Sequence, residues 1–210
     1  MISPRGAVDF YDVVARRRMV RNFTDAPVDP EALRRIIAAA RKTPSAGFSQ
    51  GQTMVVVTDP GLRSQIAVLC GEEEYVAAGM DPWISRAPVQ VVVCTRATAY
   101  TDRYSEPDKG GHDGPLSIAD HWSVPYWWVD AGATMMLLLL AAVREGLAAG
   151  FLGSHAWKDI KPLLGIPDDV APIGIVTIGH PAPDRRSGSL DRGWRADREV
   201  VHLEHWHDAP

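Results

Sequence analysis

The chain of 210 residues lacks the signatures of several large enzyme classes. It has only two cysteines, Cys70 and Cys94, and no Cys-x-x-Cys pair, so neither a structural zinc site nor a redox dithiol is indicated. The sequences Gly-x-x-x-x-Gly-Lys and Gly-x-Gly-x-x-Gly are also missing. Their absence argues against a P-loop enzyme and against a Rossmann dinucleotide domain.

Long apolar runs and strong net charge are absent as well. The most apolar stretch, residues 131–143, is shorter than the roughly 20 residues of a membrane span. No basic segment followed by an apolar core opens the chain, so no secretory signal is visible. The formal net charge of −4 does not attract polyanions. We therefore expect a cytoplasmic protein that binds neither membrane nor nucleic acid.

Periodicity predicts helices that alternate with strands in one domain over residues 1–210. Helices are expected over residues 9–18, 62–70, 129–146 and 157–164, and one more begins at Pro30 behind an Asp29 cap and ends at Thr43. Strands are expected over residues 53–58, 88–95, 147–152 and 171–178. This order predicts an α/β or α+β protein whose sheet is covered by helices.

Two features indicate something beyond an isolated monomer. The helix over residues 129–146 is apolar nearly all round, which is typical of a buried position and favours a dimer with this helix near its centre. Residues 97–125 show no period and are rich in Gly, Pro, Asp and His. A segment this long without a period is usually functional or mobile.

Four arginines within six residues are the first feature that carries chemistry. Arg16, Arg17, Arg18 and Arg21 lie at the end of the first predicted helix, and guanidinium groups match phosphate oxygens bidentately. A solvated basic face is the plainer interpretation. The pair Arg185-Arg186 follows the last strand and either completes a phosphate site or lies free in a loop.

Two loops add polar groups suited to a flat heterocycle. Residues 43–52 combine small residues with Ser45, Ser49, Gln50 and Gln52 just before a strand. Gly153-Ser154-His155 follows another strand, where backbone N–H groups can face an electron-rich ligand atom. His155 is either a proton donor or an ordinary surface histidine.

The histidines near the C-terminus do not predict a metal site. His202, His205 and His207 are close in sequence, but no strand or helix arranges three ligands around one ion.

The order of these segments resembles the FMN-dependent nitroreductase family. Residues 17–23, Arg-Arg-Met-Val-Arg-Asn-Phe, are similar to the family's Arg-Arg-Ser-x-Arg-x-Phe. Residues 43–50, Thr-Pro-Ser-Ala-Gly-Phe-Ser-Gln, are similar to its Ala-Pro-Ser-Ala-Gly-Asn-Ser-Gln. Glu145-Gly146-Leu147, Gly153-Ser154-His155 and residues 172–181 fall at the family's spacing, and the likeness covers roughly residues 9–186.

The resemblance implies an α+β fold, a three-layer α/β/α sandwich with a mixed, mostly antiparallel central sheet, in an intertwined homodimer. It implies two FMN sites at the dimer interface, with the phosphate and ribityl chain held by Arg17, Arg18 and Arg21, joined by Arg185 or Arg186. By the same resemblance Ser45, Phe48 and Gln50 line the flavin ring from the other subunit. Gly153, Ser154 and His155 face the N5–O4 edge of the ring.

The activity implied is hydride transfer from NAD(P)H through flavin N5 to an oxidised organic acceptor, such as a nitroaromatic, quinone or enone-like compound. A variable lid is expected over residues 97–128 and a C-terminal extension over residues 187–210. The chain departs from the family pattern at Met19 (usually Ser), at Phe48 (usually Asn) and at Gly51-Gln52 (usually Pro-Trp).

Two alternatives stay open. One is a flavin-consuming enzyme like the relative that makes dimethylbenzimidazole from FMN, which has a similar Gly-Phe-x-Gln loop but usually an Asp at the position of Met19. The other is a protein that binds flavin or deazaflavin without turnover, which the altered residues Phe48 and Gly51-Gln52 favour.

Overall fold

A computed structural model describes residues 9–206 and contains one four-stranded sheet between two layers of helices. The helices are α1 (Phe10–Arg16), α2 (Pro30–Ala40), α3 (Pro60–Leu69), α4 (Glu72–Ala77), α5 (Trp83–Arg86), α6 (Thr98–Tyr104), α7 (Tyr126–Arg144) and α8 (Trp157–Leu163). The strands are β1 (Gln52–Val57), β2 (Val89–Thr95), β3 (Ala148–Leu152) and β4 (Ala171–Gly179). All four predicted strands are present, and no strand end differs from its predicted position by more than one residue.

The sheet has the order β1-β2-β4-β3, and each neighbouring pair is antiparallel. Every residue of β2 is buried, as its unbroken apolar sequence predicts for a strand covered on both faces. Among residues 9–206 the parallel pairing is limited to an isolated bridge between Met19 and Ala149. The prediction of a mixed, mostly antiparallel sheet is therefore confirmed in its main feature.

Each face of the sheet packs against its own helices. Ile66 of α3, Ile84 of α5 and Ile160 of α8 bury one face. Ile36 of α2 and Leu138 of α7 belong to the core on the other face. This arrangement is the predicted three-layer α/β/α sandwich.

Helix α7 begins three residues earlier than predicted and therefore includes Trp127 and Trp128. Its 19 residues are long and apolar enough to cross a membrane by length and composition, although the most apolar run within it, residues 131–143, is shorter than a span. The helix instead packs against α2 and all four strands, and Asp130 and Thr134 are buried within the protein. Those contacts bury one side of the helix, whereas Trp128, Val129 and Met136 remain exposed in the single chain.

The segment predicted to lack regular structure, residues 97–125, contains α6 and three 3₁₀ turns. Tyr100, Trp122 and Trp127 form a separate apolar cluster with edge-to-face ring contacts. Neither α6 nor the short helices α4 and α5 was predicted. Each spans seven residues or fewer, which is too short for a helical period to stand out.

Candidate functional site

The arginine segment, residues 17–21, is extended rather than helical. Helix α1 ends at Arg16, two residues before the predicted end, and Arg17 has φ −62° and ψ 123°. The segment then runs along the edge of β3, where the Val20 amide donates to the Ala149 carbonyl at 3.0 Å. Gly150 permits this approach, since a Cβ there would lie 2.5 Å from the Val20 carbonyl oxygen.

Arg17 and Arg21 are half-buried, whereas Arg18 is exposed. Arg18 lines a cavity of about 190 Å³ together with Arg16 and Val20. Within residues 9–206, neither Arg17 nor Arg21 forms a side-chain ion pair. The Arg21 guanidinium lies 5.9 Å from the centre of the Trp83 ring. Two guanidinium groups are therefore free to bind an anion.

Asp184 is a member of this site that the sequence interpretation missed. Its carboxylate accepts a hydrogen bond from the Arg21 amide at 2.9 Å and lies 4.0 Å from Arg18 Nη1. The side chain is only 7% exposed. A signal was available, because an acidic residue directly precedes Arg185 in the loop already suspected of binding phosphate.

The predicted pair Arg185-Arg186 is placed less favourably in the single chain. The Arg186 guanidinium donates to the Leu190 carbonyl at 3.3 Å and lies 3.5 Å from Asp191. Arg185 is exposed. Asp184 is thus the residue of this loop that contacts the arginine segment.

The binding loop, residues 45–52, has an unusual backbone. Gly47, Phe48 and Gln50 have φ values of 61°, 58° and 52°. A positive φ is uncommon for a residue other than glycine and, in a bulky residue, marks strain that often accompanies a binding site. Phe48 is 72% exposed, so burial of its ring does not compensate for that strain.

Hydrogen bonds from residues of α6 and α7 hold the binding loop in this conformation. The Ala46 amide donates to the buried Asp130 carboxylate at 3.0 Å, and the Tyr100 hydroxyl donates to the same oxygen at 2.8 Å. Burial, together with the hydrogen bond to Asp130, raises the pKa of Tyr100 above its usual value, so this hydroxyl remains a donor. Arg103 Nε donates to the Gly47 carbonyl at 2.9 Å.

Asp130 was also missed from the sequence. The signal was a single carboxylate within the most apolar helix of the chain. A carboxylate in such a place needs donors, and the binding loop supplies one of them.

The binding loop contains a second motif that the sequence interpretation overlooked. Residues 47–51, Gly-Phe-Ser-Gln-Gly, have the Gly-x-Ser-x-Gly spacing of serine hydrolases. In those enzymes the serine lies on a turn between a strand and the next helix, whereas this loop precedes β1. The Ser49 hydroxyl donates to the Ala46 carbonyl at 2.6 Å. Ser49 therefore stabilises the loop and is not placed as a nucleophile.

Gly153, Ser154 and His155 lie between β3 and α8 and line a cavity of about 360 Å³ with Cys70 and Tyr75. The Ser154 hydroxyl accepts from the Ala156 amide at 3.0 Å, and Cys70 Sγ lies 3.7 Å from it. Burial raises the pKa of the Cys70 thiol. The thiol is therefore neutral near pH 7, which does not favour a role as a nucleophile.

The binding loop and the Gly153-Ser154-His155 segment lie at the same end of the sheet but on opposite edges. Gln52 begins β1, and its cross-strand neighbour Thr95 is in turn opposite Ala171, at the start of β4. Strand β3 forms the other edge and ends near this end of the sheet. Three strand spacings separate the two edges, on the order of 14 Å. A single chain therefore brings the arginine segment and Gly153 to one edge but places the binding loop at the other.

The sequence profile of the Nitroreductase family matches residues 14–180, most of the chain. The FMN reductase [NAD(P)H] of Bacillus subtilis is 32% identical over 79% of this chain and 63% of its own length. The oxygen-insensitive NADPH nitroreductase of Salmonella typhimurium is 27% identical over 81% of this chain and 65% of its own length. This chain thus spans less than two thirds of both relatives.

The structure of NfrA2 from B. megaterium superposes with a TM-score of 0.73 at 23% identity, covering 94% of this chain and 75% of that one. This similarity confirms the fold. Together with the profile match, it establishes that the chain belongs to the nitroreductase family, as the sequence resemblance predicted.

Proposed function

We propose that the chain is an FMN-dependent oxidoreductase that transfers a hydride from NAD(P)H to an oxidised organic acceptor such as a nitroaromatic, quinone or enone-like compound. Membership of the nitroreductase family supports this function. The names of its relatives, FMN reductase and NADPH nitroreductase, support the predicted cofactor and enzyme class.

The observation that carries the proposal is the pair of free guanidinium groups on Arg17 and Arg21. Two cations four residues apart in one short segment suit a phosphate, which accepts charge-assisted hydrogen bonds from each. The Asp184 carboxylate holds the backbone beside them through the Arg21 amide. The residues present therefore fit the phosphate end of FMN.

The ring end of FMN suits the two loops. When bound, FMN supplies the hydride chemistry, while the protein positions and tunes it. Ser45, Phe48 and Gln50 would line the ring. Gly153, Ser154 and His155 would contact its edge, and a Cβ at Gly153 would meet no other atom within 4 Å, so the backbone there is open to a ligand.

A homodimer would complete this site, because the binding loop and the arginine segment lie on opposite edges of one chain. Exposed apolar side chains on adjacent helices support this association: Phe10 and Tyr11 of α1 are 62% and 75% exposed, and Val129 of α7 is 52% exposed. Patches of this kind mark protein interfaces. Residues 97–128 would form the lid over the site, and residues 187–210 would form a C-terminal extension. The protein would function in the cytoplasm.

The absorbance spectrum of the purified protein tests the cofactor, because bound flavin gives characteristic visible bands. Anaerobic stopped-flow mixing with NADH and with NADPH then tests the activity. Bleaching of the flavin by either nucleotide is the expected result. A bound flavin that neither nucleotide bleaches would exclude a simple reductase.

A further inference from the structure

Asn22 directly follows the arginine segment, and its polar side chain is buried, with 7% of the residue exposed. Its Nδ2 donates to the Pro183 carbonyl at 2.7 Å, and its Oδ1 accepts from Arg86 Nη1 at 3.2 Å. Both ends of the amide therefore have partners, and the two partners lie on different segments of the chain. A buried amide that is bonded at both ends has a fixed orientation.

The hydrogen bonds of Asn22 join the arginine segment to the loop after β4. The Ala182 amide donates to the Asn22 carbonyl at 3.1 Å, and the Asp184 carboxylate accepts from the Arg21 amide at 2.9 Å. Together with the bond to Pro183, three hydrogen bonds connect residues 21–22 with residues 182–184. They fix the C-terminal end of the arginine segment, whereas the bond between Val20 and β3 fixes its middle.

Helix α5 supports the same end of the segment. Arg86 pairs with Asp81 at 3.3 Å, and the same Nη1 atom donates to Asn22. The Trp83 ring, which is only 2% exposed, lies 5.9 Å from the Arg21 guanidinium. A guanidinium is attracted to the face of such a ring. Helix α5 therefore contacts Arg21 directly and Asn22 through Arg86.

We propose that Asn22 is a positioning residue for the phosphate of the bound flavin. By joining the segment to the loop after β4, it sets the position of the Arg21 backbone relative to Arg17, and the anion then orients the two guanidinium groups. Asn22 acts through these arginines and not by contact with the ligand. The inference rests on the proposed function, because the anion is the FMN phosphate proposed there.

Riboflavin provides the test, because it carries the flavin ring and ribityl chain without the phosphate. Fluorescence titration of the apoprotein gives the Kd of FMN and of riboflavin. The parent should bind FMN at least about 100-fold more tightly, since two charge-assisted hydrogen bonds contribute that factor. Asn22→Ala should weaken FMN about tenfold, which corresponds to one such bond, and should change the Kd of riboflavin by less than about twofold.

Arg63→Gln is the matched control. Arg63 also holds backbone beside α5, because its Nη1 donates to the Ser85 and Ala87 carbonyls at 2.9 and 2.7 Å, but within residues 9–206 it has no hydrogen bond to the arginine segment. It should keep the parental ratio of the two Kd values even where it lowers stability. Damage to the fold alone weakens both ligands alike, so the ratio reports positioning and not stability.

Two further variants make the role of Asn22 specific. Adding Asn22→Ala to R17A/R21A should not weaken FMN further, because the residue acts only through those two cations. Arg86→Gln removes the donor to Asn22 and leaves the bond to Pro183 in place, so it should lower the ratio by less than Asn22→Ala. It also takes over the test if Asn22→Ala does not fold.

An unchanged ratio in Asn22→Ala, or equal weakening of FMN and riboflavin, would overturn the proposal. A further loss of FMN affinity when Asn22→Ala is added to R17A/R21A would also overturn it. If FMN binds but neither nucleotide bleaches it, the reductase is refuted and the role of Asn22 is still decided by the ratio. Turnover together with a parental ratio in Asn22→Ala refutes only the role of Asn22, and a parent that binds no FMN refutes both.

Discussion

The binding loop and the arginine segment form the two ends of the candidate flavin site. Other residues of the chain fix the conformation of the loop, whereas the arginine side chains of the segment are not fixed by ion pairs in the described chain. The loop has a strained backbone that Asp130, Arg103 and Tyr104 support from within the same chain. The arginine segment is extended along one strand edge, and the guanidinium groups of Arg17 and Arg21 lack ion pairs in the described chain.

The binding loop therefore contributes a fixed backbone conformation to the site, and the arginine segment contributes positive charge. The loop has its shape before any ligand arrives, which lowers the entropy cost of binding. The arginine segment has charge without a partner, so an anion would determine its final side-chain geometry. Substitutions in the segment should therefore act mainly on ligand affinity, and substitutions behind the loop mainly on stability.

The largest effect is expected for R17A/R21A. Both guanidinium groups would be lost from the phosphate, and each charge-assisted hydrogen bond contributes about 1.5–3 kcal/mol. The affinity for FMN should fall by at least about 100-fold, measured by fluorescence titration of the apoprotein. R34A/R195A is the control, since it removes two exposed arginines elsewhere. A double variant that purifies as yellow as the parent would show that the phosphate lies elsewhere.

Asp130→Ala should have the largest effect on stability. It leaves the Ala46 amide and the Tyr100 hydroxyl without their acceptor, at a cost of about 2–4 kcal/mol in the free energy of unfolding. Urea denaturation measures this loss. Tyr100→Phe removes one of the two hydrogen bonds and should cost about 1 kcal/mol. Equal losses in both variants would mean that the bond to Ala46 contributes nothing.

Most of the fold was predictable because the strongest patterns belong to the core. The seven buried residues of β2 and the apolar α7 carry signals that local chemistry does not obscure. The start of α7 was misplaced, since Trp127 belongs both to the helix and to the aromatic cluster, and Tyr126 contacts Trp122 of that cluster. Helix α6 was missed because it spans only seven residues and is held by the packing of Tyr100 in the aromatic cluster.

The candidate site was predictable in its motifs but not in its supports. Ser45 and Gln50 could be found because they are near one another in sequence. Asp130 is 84 residues away from the Ala46 amide that it binds, and Asp184 is 163 residues away from Arg21. Such pairs follow from the topology of the sheet and helices, which a single sequence does not reveal.

Gly47→Ala tests how tightly the loop is supported. A Cβ there would lie 2.7 Å from Tyr104 Cε2, and the backbone has a positive φ. Gly79 is the matched control, because it also has a positive φ but a Cβ there would meet nothing within 4 Å. We expect Gly47→Ala to cost about 1–2 kcal/mol more than Gly79→Ala in thermal or urea unfolding. Equal costs would mean that Tyr104 moves aside freely.

Arg103→Gln should have the smallest effect on the free energy of unfolding, and its effect should be confined to the binding loop. Arg103 donates to the Gly47 carbonyl at 2.9 Å and pairs with Asp108 at 2.7 Å, but Asp108 is exposed, and exposed ion pairs contribute at most about 1 kcal/mol. Global stability should change by less than about 1 kcal/mol.

Local opening of the loop should nevertheless increase in Arg103→Gln, because the Gly47 carbonyl loses its donor. Hydrogen exchange should therefore speed up several-fold at the Phe48 and Ser49 amides, which bond to Ser45 and Ala46. Asp108→Asn is the control, since it weakens the ion pair but retains Arg103. Equal acceleration in both variants would show that the ion pair, and not the direct contact with Gly47, keeps the loop closed.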